Sequence, residues 1–431
     1  CRSSMSSLVR MVSDMTPVRG YSEMKDSGIE WVGEIPKHWQ IKVLFQLATQ
    51  VKNKNKDLVE KNLLSLSYGK IKRKNIEKSE GLLPASFDGY NIIEENDIVL
   101  RLTDLQNDHT SLRVGRTTER GIITSAYVTI RPINSNTSKY LYYLLHSFDI
   151  KKGFYGMGAG VRQGLNFEEV KMLKIPVPPI EEQISIAAYL DEKCSKIDEI
   201  IASAKASIED YKQWKTSIIY EAVTKGLDPD AEMKDSGIEW IGKMPLHWKV
   251  SRIKNETINE DNLREPISAE NRNNQLGLYD YYGASGAIDK IDDYNVDDEV
   301  LLIGEDGANL RMRNLPLVYK AKGKFWVNNH AHILKVKDSN LYDYMAYVLE
   351  AGDYSNYITG SAQPKLSQFN LMRFPIPIAP INEQFKIEKF LNNKCLGIDK
   401  IITEKELLII DLESYKKSLI YEVVTGKRRV C

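Results

Sequence analysis

MKDSGIEWVGEIPKHW, at Met24–Trp39, returns as MKDSGIEWIGKMPLHW at Met233–Trp248, roughly two hundred residues later. A repeat of this fidelity makes the chain an internal duplication, and the rest of the sequence divides on that basis. A second doubled stretch lies downstream of each copy: IPVPPIEEQ at Ile175–Gln183 is answered by FPIPIAPINEQ at Phe374–Gln384. Each opens a long segment, and the two segments close on IIYEAVTKG and LIYEVVTGK, at residues 218–226 and 419–427. The two halves therefore share one architecture.

Within the first long segment apolar residues step by four and three through Leu190, Cys194, Ile197, Ile201, Ala204, Ile208 and Tyr211, and resume at Ile218 and Ala222. The second repeats the seam with Leu391, Cys395, Ile398, Ile402, Ile409, Leu419 and Val423. This heptad spacing predicts a long helix at the end of each half, the two suited to pair. Pro176, Pro178 and Pro179 forbid helix just before the first, and Gly226 and Gly426 supply stops. Lys215 and Lys416 interrupt the seam, and either fix register between paired helices or snorkel to solvent. Cys194 and Cys395 sit in the seam as small buried hydrophobes. With Cys1 and Cys431 they form no CxxC pair and no disulfide framework.

At 431 residues, 42% hydrophobic and 27% charged, the chain holds more than one domain and has ample material for buried cores. Lys plus Arg and Asp plus Glu are both 59, so a uniformly basic nucleic-acid coat is excluded while local patches are not. No stretch reaches the roughly 20 apolar residues of a membrane helix, and the chain reads as cytoplasmic. The boundaries implied are a leader or expression-derived segment over 1–23, a first insert-bearing domain over 24–178, a long helix over 179–226, a linker and second domain over 227–378, a second long helix over 379–427, and a tail over 428–431.

Between the short motif and the long helix each half carries a different insert, about Gln40–Lys174 and Lys249–Arg373. Beta-type runs such as Asp97–Leu102, Ala126–Ile130, Glu299–Ile303 and His332–Val336, separated by Gly- and Asn-rich turns, predict a mixed α/β globule in each, with strand order left open. Each insert also has a basic run. The first gathers Lys52, Lys54, Lys56, Lys61, Lys70, Lys72, Arg73 and Lys74 against Asp57 and Glu60; the second gathers Arg311, Arg313, Lys320, Lys322, Lys324, Lys335 and Lys337 against Glu305 and Asp306. One run per insert points to nucleic acid, with a solvated charged face as the bland alternative. Arg forks onto guanine and Asn or Gln onto adenine in a major groove. The candidate contacts are therefore Tyr68, Lys70, Lys72, Arg73, Arg101, Thr103, Asp104, Gln106, Asn107, Arg116, Arg162 and Gln163 in the first insert. In the second they are Tyr282, Asn309, Arg311, Arg313, His330, His332, Gln363 and Lys365.

Chemistry of other kinds finds little footing. No GxxxxGK[ST] loop is present, and Gly283–Lys290 (GASGAIDK) only superficially resembles one. No GxGxxG opens a helix after a strand, and no Asn-Pro-Pro-aromatic tetrapeptide occurs. His330 and His332 form an HxH without a third ligand, and Glu305-Asp306 lacks the spaced partner of a metal-dependent nuclease.

The doubled DSGIEWxGxxPxHW, the doubled Pro-rich entry with Glu182-Gln183 and Glu383-Gln384, and the doubled helix ending Tyr-Glu-x-Val-Thr resemble the specificity subunit of type I restriction-modification systems. The likeness runs from Met24 to Lys427. It implies an α+β fold in which two α/β target-recognition domains are separated by two long antiparallel coiled-coil helices, with pseudo-two-fold internal repeat. It further implies a non-catalytic reader of double-stranded DNA, each domain reading one half of a bipartite asymmetric target. The helices would set the gap and dock two methyltransferase subunits, with motor-nuclease subunits as further partners. S-adenosylmethionine, ATP and magnesium would be bound by those partners and none by this chain. Leu190, Ile197, Ile201, Ile208, Leu391, Ile398, Ile402 and Ile409 would serve helix pairing or subunit docking. Trp31, His38, Trp39, Trp240, His247 and Trp248, as parts of the repeated frame, would serve packing or docking. From Leu190 to Ala222 the helix rises about 48 Å at roughly 1.5 Å per residue, somewhat more than a DNA turn of about 34 Å. A helical scaffold whose inserts bind protein, and a self-sufficient methyltransferase or nuclease, are the competing readings.

Overall fold

The repeated motif folds the same way twice. Met24–Asp26 pairs antiparallel with Glu34–Pro36, and Met233–Asp235 with Lys243–Pro245. Between these strands the chain reverses at glycines in the left-handed region, with φ of 63° at Gly28 and 71° at Gly237, which a Cβ would resist. The carboxylate two residues earlier, Asp26 or Asp235, accepts that glycine's N–H at 2.9 Å. Hence the Asp-Ser-Gly in each copy.

The computed structural model describes residues 20–74, 86–108, 110, 112–157, 164–272 and 277–430. It forms two compact units, one of residues up to 203 together with 407–431, the other of residues 204–406. Each unit thus holds one insert, the start of one long helix and the end of the other.

In the first unit an antiparallel sheet runs in the order Ala48–Gln50, Val128–Pro132, Ile98–Leu100, Val114–Arg116. Beside it lie a hairpin, Leu64–Ser67 with Lys70–Arg73, and a strand pair, Asn91–Ile93 with Gly121–Ile123. The second unit has a six-stranded sheet in the order Thr257–Asn259, Ala331–Val336, Val296–Gly304, Val318–Val327, Tyr279–Gly283, Gly286–Ile291. Only the contact between Tyr279–Gly283 and Val318–Val327 is parallel. Both faces of that sheet are covered: Leu301 and Ile303 join the large core containing Trp248, Tyr344 and Phe374, while Val300 and Leu302 join a second cluster with Phe325 and Ile333. This is the alternation a strand requires.

The long helices span Ile180–Lys225 and Ile381–Val424. Gly226 and Gly426, with φ of 75° and 73°, follow their ends. Pairing is antiparallel: Lys416 Nζ reaches both carboxylate oxygens of Asp198 at 2.7 Å in the first unit, and Lys215 Nζ both of Asp399 at 2.7 Å in the second. The lysines that interrupt the seam are therefore register pairs, not snorkelling ends. Leu190, Cys194, Ile197, Ile201, Ile208, Leu391, Cys395, Ile398 and Ile409 are buried and Ile402 is half-buried. Their burial suits the pairing role.

The frame closes onto each helix start. His38 Nε2 lies 2.9 Å from Glu182, which also accepts from the Tyr21 hydroxyl; His247 Nε2 lies 2.7 Å from Glu383, which accepts from the Trp248 indole at 2.9 Å. Gln183 and Gln384 donate back to the carbonyls of Pro178 and Ala379, at 2.8 and 2.9 Å. These contacts explain the doubled Glu-Gln. The inserts share more than their sequences suggest. On helices Ser138–Ile150 and Tyr342–Ala351, Tyr143 donates to Asp191 at 2.7 Å and Tyr347 to Asn392 at 2.8 Å, positions equivalent in the two long helices.

Candidate nucleic-acid interface

The first-unit hairpin turns on Tyr68-Gly69, both with positive φ (47° and 75°), the pattern that matches strand twist in a two-residue loop. Leu64, Leu66 and Ile71 pack with Ile93, Val99 and Ile123. Alternation then turns Ser65, Ser67, Lys70 and Lys72 away from that cluster. Tyr68 stands 81% exposed at the tip. Lys70 and Lys72 are exposed, with Lys70 Nζ at 4.0 Å from Asp198. Arg73 is engaged elsewhere: its Nε donates to Glu119 at 2.7 Å, and that bond holds the Glu119 carboxyl below the usual range.

The loop Arg101–Asp108 is organised by a residue that sequence reasoning missed. Arg113 is fully buried. Its Nη1 donates to the carbonyls of Arg101 (3.1 Å) and Thr103 (2.7 Å), its Nη2 to those of Asp104 (3.1 Å) and Asp108, and its Nε to the Tyr155 hydroxyl (2.9 Å). The Arg113 N–H donates to Asp149, whose carboxyl burial pushes up to about 6. No local signal marks Arg113, because a charged residue is read as exposed by default. Around this staple Asp104, Gln106 and Asn107 are exposed and Arg101 and Thr103 half-buried. Asn107 donates to Asp104 at 2.9 Å, and Arg101 lies 3.6 Å from the Asp108 carboxylate. The hairpin turn abuts the strand leaving the loop, since a Cβ at Gly69 would meet Leu112 Cβ at 3.2 Å. Arg116 donates to Asn96 and is half-buried. Arg162 and Gln163 lie outside the described residues, just ahead of Leu165, whose N–H bonds Leu102 O at 2.8 Å.

In the second unit three loops converge beyond the strand Val296–Gly304. Glu305 receives Lys365 at 3.0 Å and Arg264, and its carbonyl accepts from Leu366 N–H at 2.8 Å. Burial opposes ionisation of Glu305, but the bonds from Arg264 and Lys365 outweigh it and hold the carboxyl low. His330 is exposed and pairs with Asp306 at 2.7 Å, while Arg311, also exposed, donates to Gly360 O at 3.1 Å. Asn309 braces the following turn, donating to the carbonyls of Leu315 and Pro316 at 3.2 Å. Arg313 donates to the Glu350 carbonyl. Gln363 is exposed on the turn after Gly360.

Three expectations change. His332 is fully buried, between Asp261 (2.7 Å) and Leu366 O (2.8 Å), so it belongs to the support of the loops and not to their surface. Tyr282 is half-buried against Phe325, ring centroids 5.6 Å apart, a packing position. The second basic run is partly neutralised in space: Lys320 meets Asp343 at 3.2 Å, Lys322 meets Glu299 and Lys335 meets Asp298, acids that lie outside the counted stretch. Among the described residues no group of three or more His, Cys, Asp or Glu is placed to hold a metal, and no helix is long and apolar enough to cross a membrane.

Comparison with known proteins adds the family. The model described as the type I restriction modification DNA specificity domain matches residues 36–210 and 245–408, well over half of the chain. The chain is 31% identical over 160 residues to a protein of Haemophilus influenzae assigned as a type I restriction enzyme specificity subunit, covering 37% of this chain and 38% of that one. It is 24% identical over 365 residues to the type I restriction enzyme MjaVIII specificity subunit of Methanocaldococcus jannaschii, covering 79% of this chain and 80% of that one. Among solved structures, a chain from work on complex assembly and conformational transition of the type I R-M system superposes with a TM-score of 0.66 at 14% identity, covering 90% of this chain and 98% of that one. The HsdS subunit from Thermoanaerobacter tengcongensis superposes with a TM-score of 0.50 at 14% identity, covering 93% and 99%. At such identities the likeness speaks to the fold.

Proposed function

This chain belongs to the family of type I restriction modification DNA specificity domains, two copies of which make it a specificity subunit, and on that premise we propose that it reads a bipartite, asymmetric DNA target without catalysing a reaction itself. The observation that carries this is the contrast within the duplication. The frame repeats its His-to-Glu contact at each helix start and its Lys-to-Asp pair between the helices, while the loop clusters it supports, Arg101–Asp108 beside the hairpin turn and Glu305–Arg313 beside Lys365, differ residue by residue. A duplicated frame suits a DNA site with two halves, and unlike loops suit halves of different sequence. Exposed Gln106 and Asn107 in one cluster and Arg311 and Gln363 in the other supply amide and guanidinium groups that match base edges.

The paired helices act as the spacer between half-sites and, with the frame, dock two methyltransferase subunits; motor-nuclease subunits complete the complex. Those partners bind S-adenosylmethionine, ATP and magnesium. The decisive experiment is modification-sensitive long-read sequencing of DNA from cells expressing this chain with the modification subunit encoded beside it, against cells lacking the chain. A split methylated motif present only with the chain is the expected result; its absence despite an assembled, active complex favours a protein-binding scaffold. Adding or deleting matched helical turns in both long helices should change the gap and leave both half-sites intact.

A further inference from the structure

We propose that Arg113 is a positioning residue for DNA recognition, holding residues 101–108 in the one main-chain shape that presents their side chains to bases. The inference rests on the reading that the inserts recognise DNA. A guanidinium has five N–H donors in a fixed plane, and in Arg113 every one is used: Nε on Tyr155, two from Nη1 on the carbonyls of Arg101 and Thr103, two from Nη2 on those of Asp104 and Asp108. Four of the five acceptors are main-chain oxygens of a single short loop.

This arrangement fixes shape through main-chain oxygens and spends none of the guanidinium's bonds on the exposed side chains of Gln106 and Asn107. Asp104 is held at φ 57°, a strained value for a residue with a Cβ, while Arg113 grips its carbonyl. Gln106 and Asn107 follow, exposed. A buried guanidinium carries a desolvation penalty that an apolar staple would avoid. Its presence fits a loop that needs several carbonyls fixed at once, which a hydrophobic contact cannot do. Tyr155 completes the seat: its ring lies under the guanidinium, 5.0 Å from the centroid, and its hydroxyl also donates to Asp108 O at 2.9 Å. Lysine keeps the charge but not the fork, so Arg113→Lys removes the geometry selectively.

The test uses the full chain, co-expressed with its modification subunit, as wild type, Arg113→Lys, Tyr155→Phe and Asn107→Ala. The methylated motif is read by long-read sequencing, and affinity is measured for duplexes carrying single mismatches in either half-site. Arg113→Lys should lower discrimination by about tenfold at one half-site only, the same one that Asn107→Ala alters, with Tyr155→Phe acting there more weakly, a size in keeping with the loss of one good base contact. The other half-site and the gap should stay as in wild type, a pattern that general loss of stability would not produce. Unchanged discrimination at both half-sites, or equal loss at both, overturns the proposal. If Arg113→Lys fails to fold, Tyr155→Phe decides by the same criterion. Absence of any chain-dependent motif in the wild type overturns the functional reading and this inference together.

Discussion

The two loop clusters solve one problem with opposite charges. In the first unit a buried cation, Arg113, gathers carbonyls around itself; in the second a buried anion, Glu305, gathers Arg264 and Lys365, with Asp261 and His332 behind. The sign of the central charge is thus free, provided each buried charge is paired and hydrogen-bonded. The frame has no such freedom: His38–Glu182 and Lys416–Asp198 recur as His247–Glu383 and Lys215–Asp399.

The largest test of this contrast is Arg113→Met. It removes a donor from each of four loop carbonyls, of which those of Asp104 and Asp108 keep the Asp108 N–H and the Tyr155 hydroxyl, and should destabilise the first unit by about 3–5 kcal/mol, read as loss of hydrogen-exchange protection there with the second unit unchanged. Glu305→Gln keeps shape and some bonding, and should cost the second unit about 1–2 kcal/mol. Equal effects would break the claim that the first loop depends on one residue and the second on a network.

Acid response sharpens the comparison. His146 and Asp149 share one buried helix face in the first unit. Burial, aided by Lys416, lowers His146 to about 4, so the neutral ring favours folding and that contribution is lost as pH falls from 6.5 towards 4. Burial raises Asp149 to about 6, so its protonated form favours folding and stability is gained as pH falls from 6 towards 4. The two oppose each other. His146→Gln should make the first unit more stable at pH 4.5 than at pH 6.5, and Asp149→Asn less stable, each by on the order of 2 kcal/mol in denaturant titrations. At the position equivalent to His146 the second unit has Glu350, raised by burial, so the sign there is reversed. The two units should therefore respond differently to acid in the wild type and alike in sign in His146→Gln; an identical pH response of both units in the wild type would defeat this assignment.

The smallest effect expected is in the frame. Double-mutant cycles on Lys416–Asp198 and Lys215–Asp399 should each give about 0.5–1 kcal/mol, because both pairs are part-exposed. Unequal couplings would show that the duplication is less symmetric in energy than in geometry.

Much of this fold was readable in advance. Heptad spacing and Pro-rich entries anticipate both long helices, and the strand runs near 97–102, 126–130, 299–303 and 332–336 correspond to strands at 98–100, 128–132, 296–304 and 331–336. The spacing Tyr-x-x-Tyr-x-Leu, at Tyr140, Tyr143 and Leu145 and again at Tyr344, Tyr347 and Leu349, would have revealed the shared insert helix. The candidate interface was less legible. His332 alternates with His330 in sequence as though both were equal, yet one is buried under Leu366 and the other exposed beside Asp306.

The sequence by itself determined the duplication, the two long helices and their shared frame, because repeat and period are properties of order along the chain and need no knowledge of distant neighbours. Only the tertiary structure decided which charges are paired and which are buried. Lys320, Lys322 and Lys335 count as a basic run along the chain, but Asp343, Glu299 and Asp298 reach them through folding. Arg113 is inside for the same reason: a charge is buried where the fold brings acceptors to it, and those acceptors are fixed by closure of the loop, not by residue type.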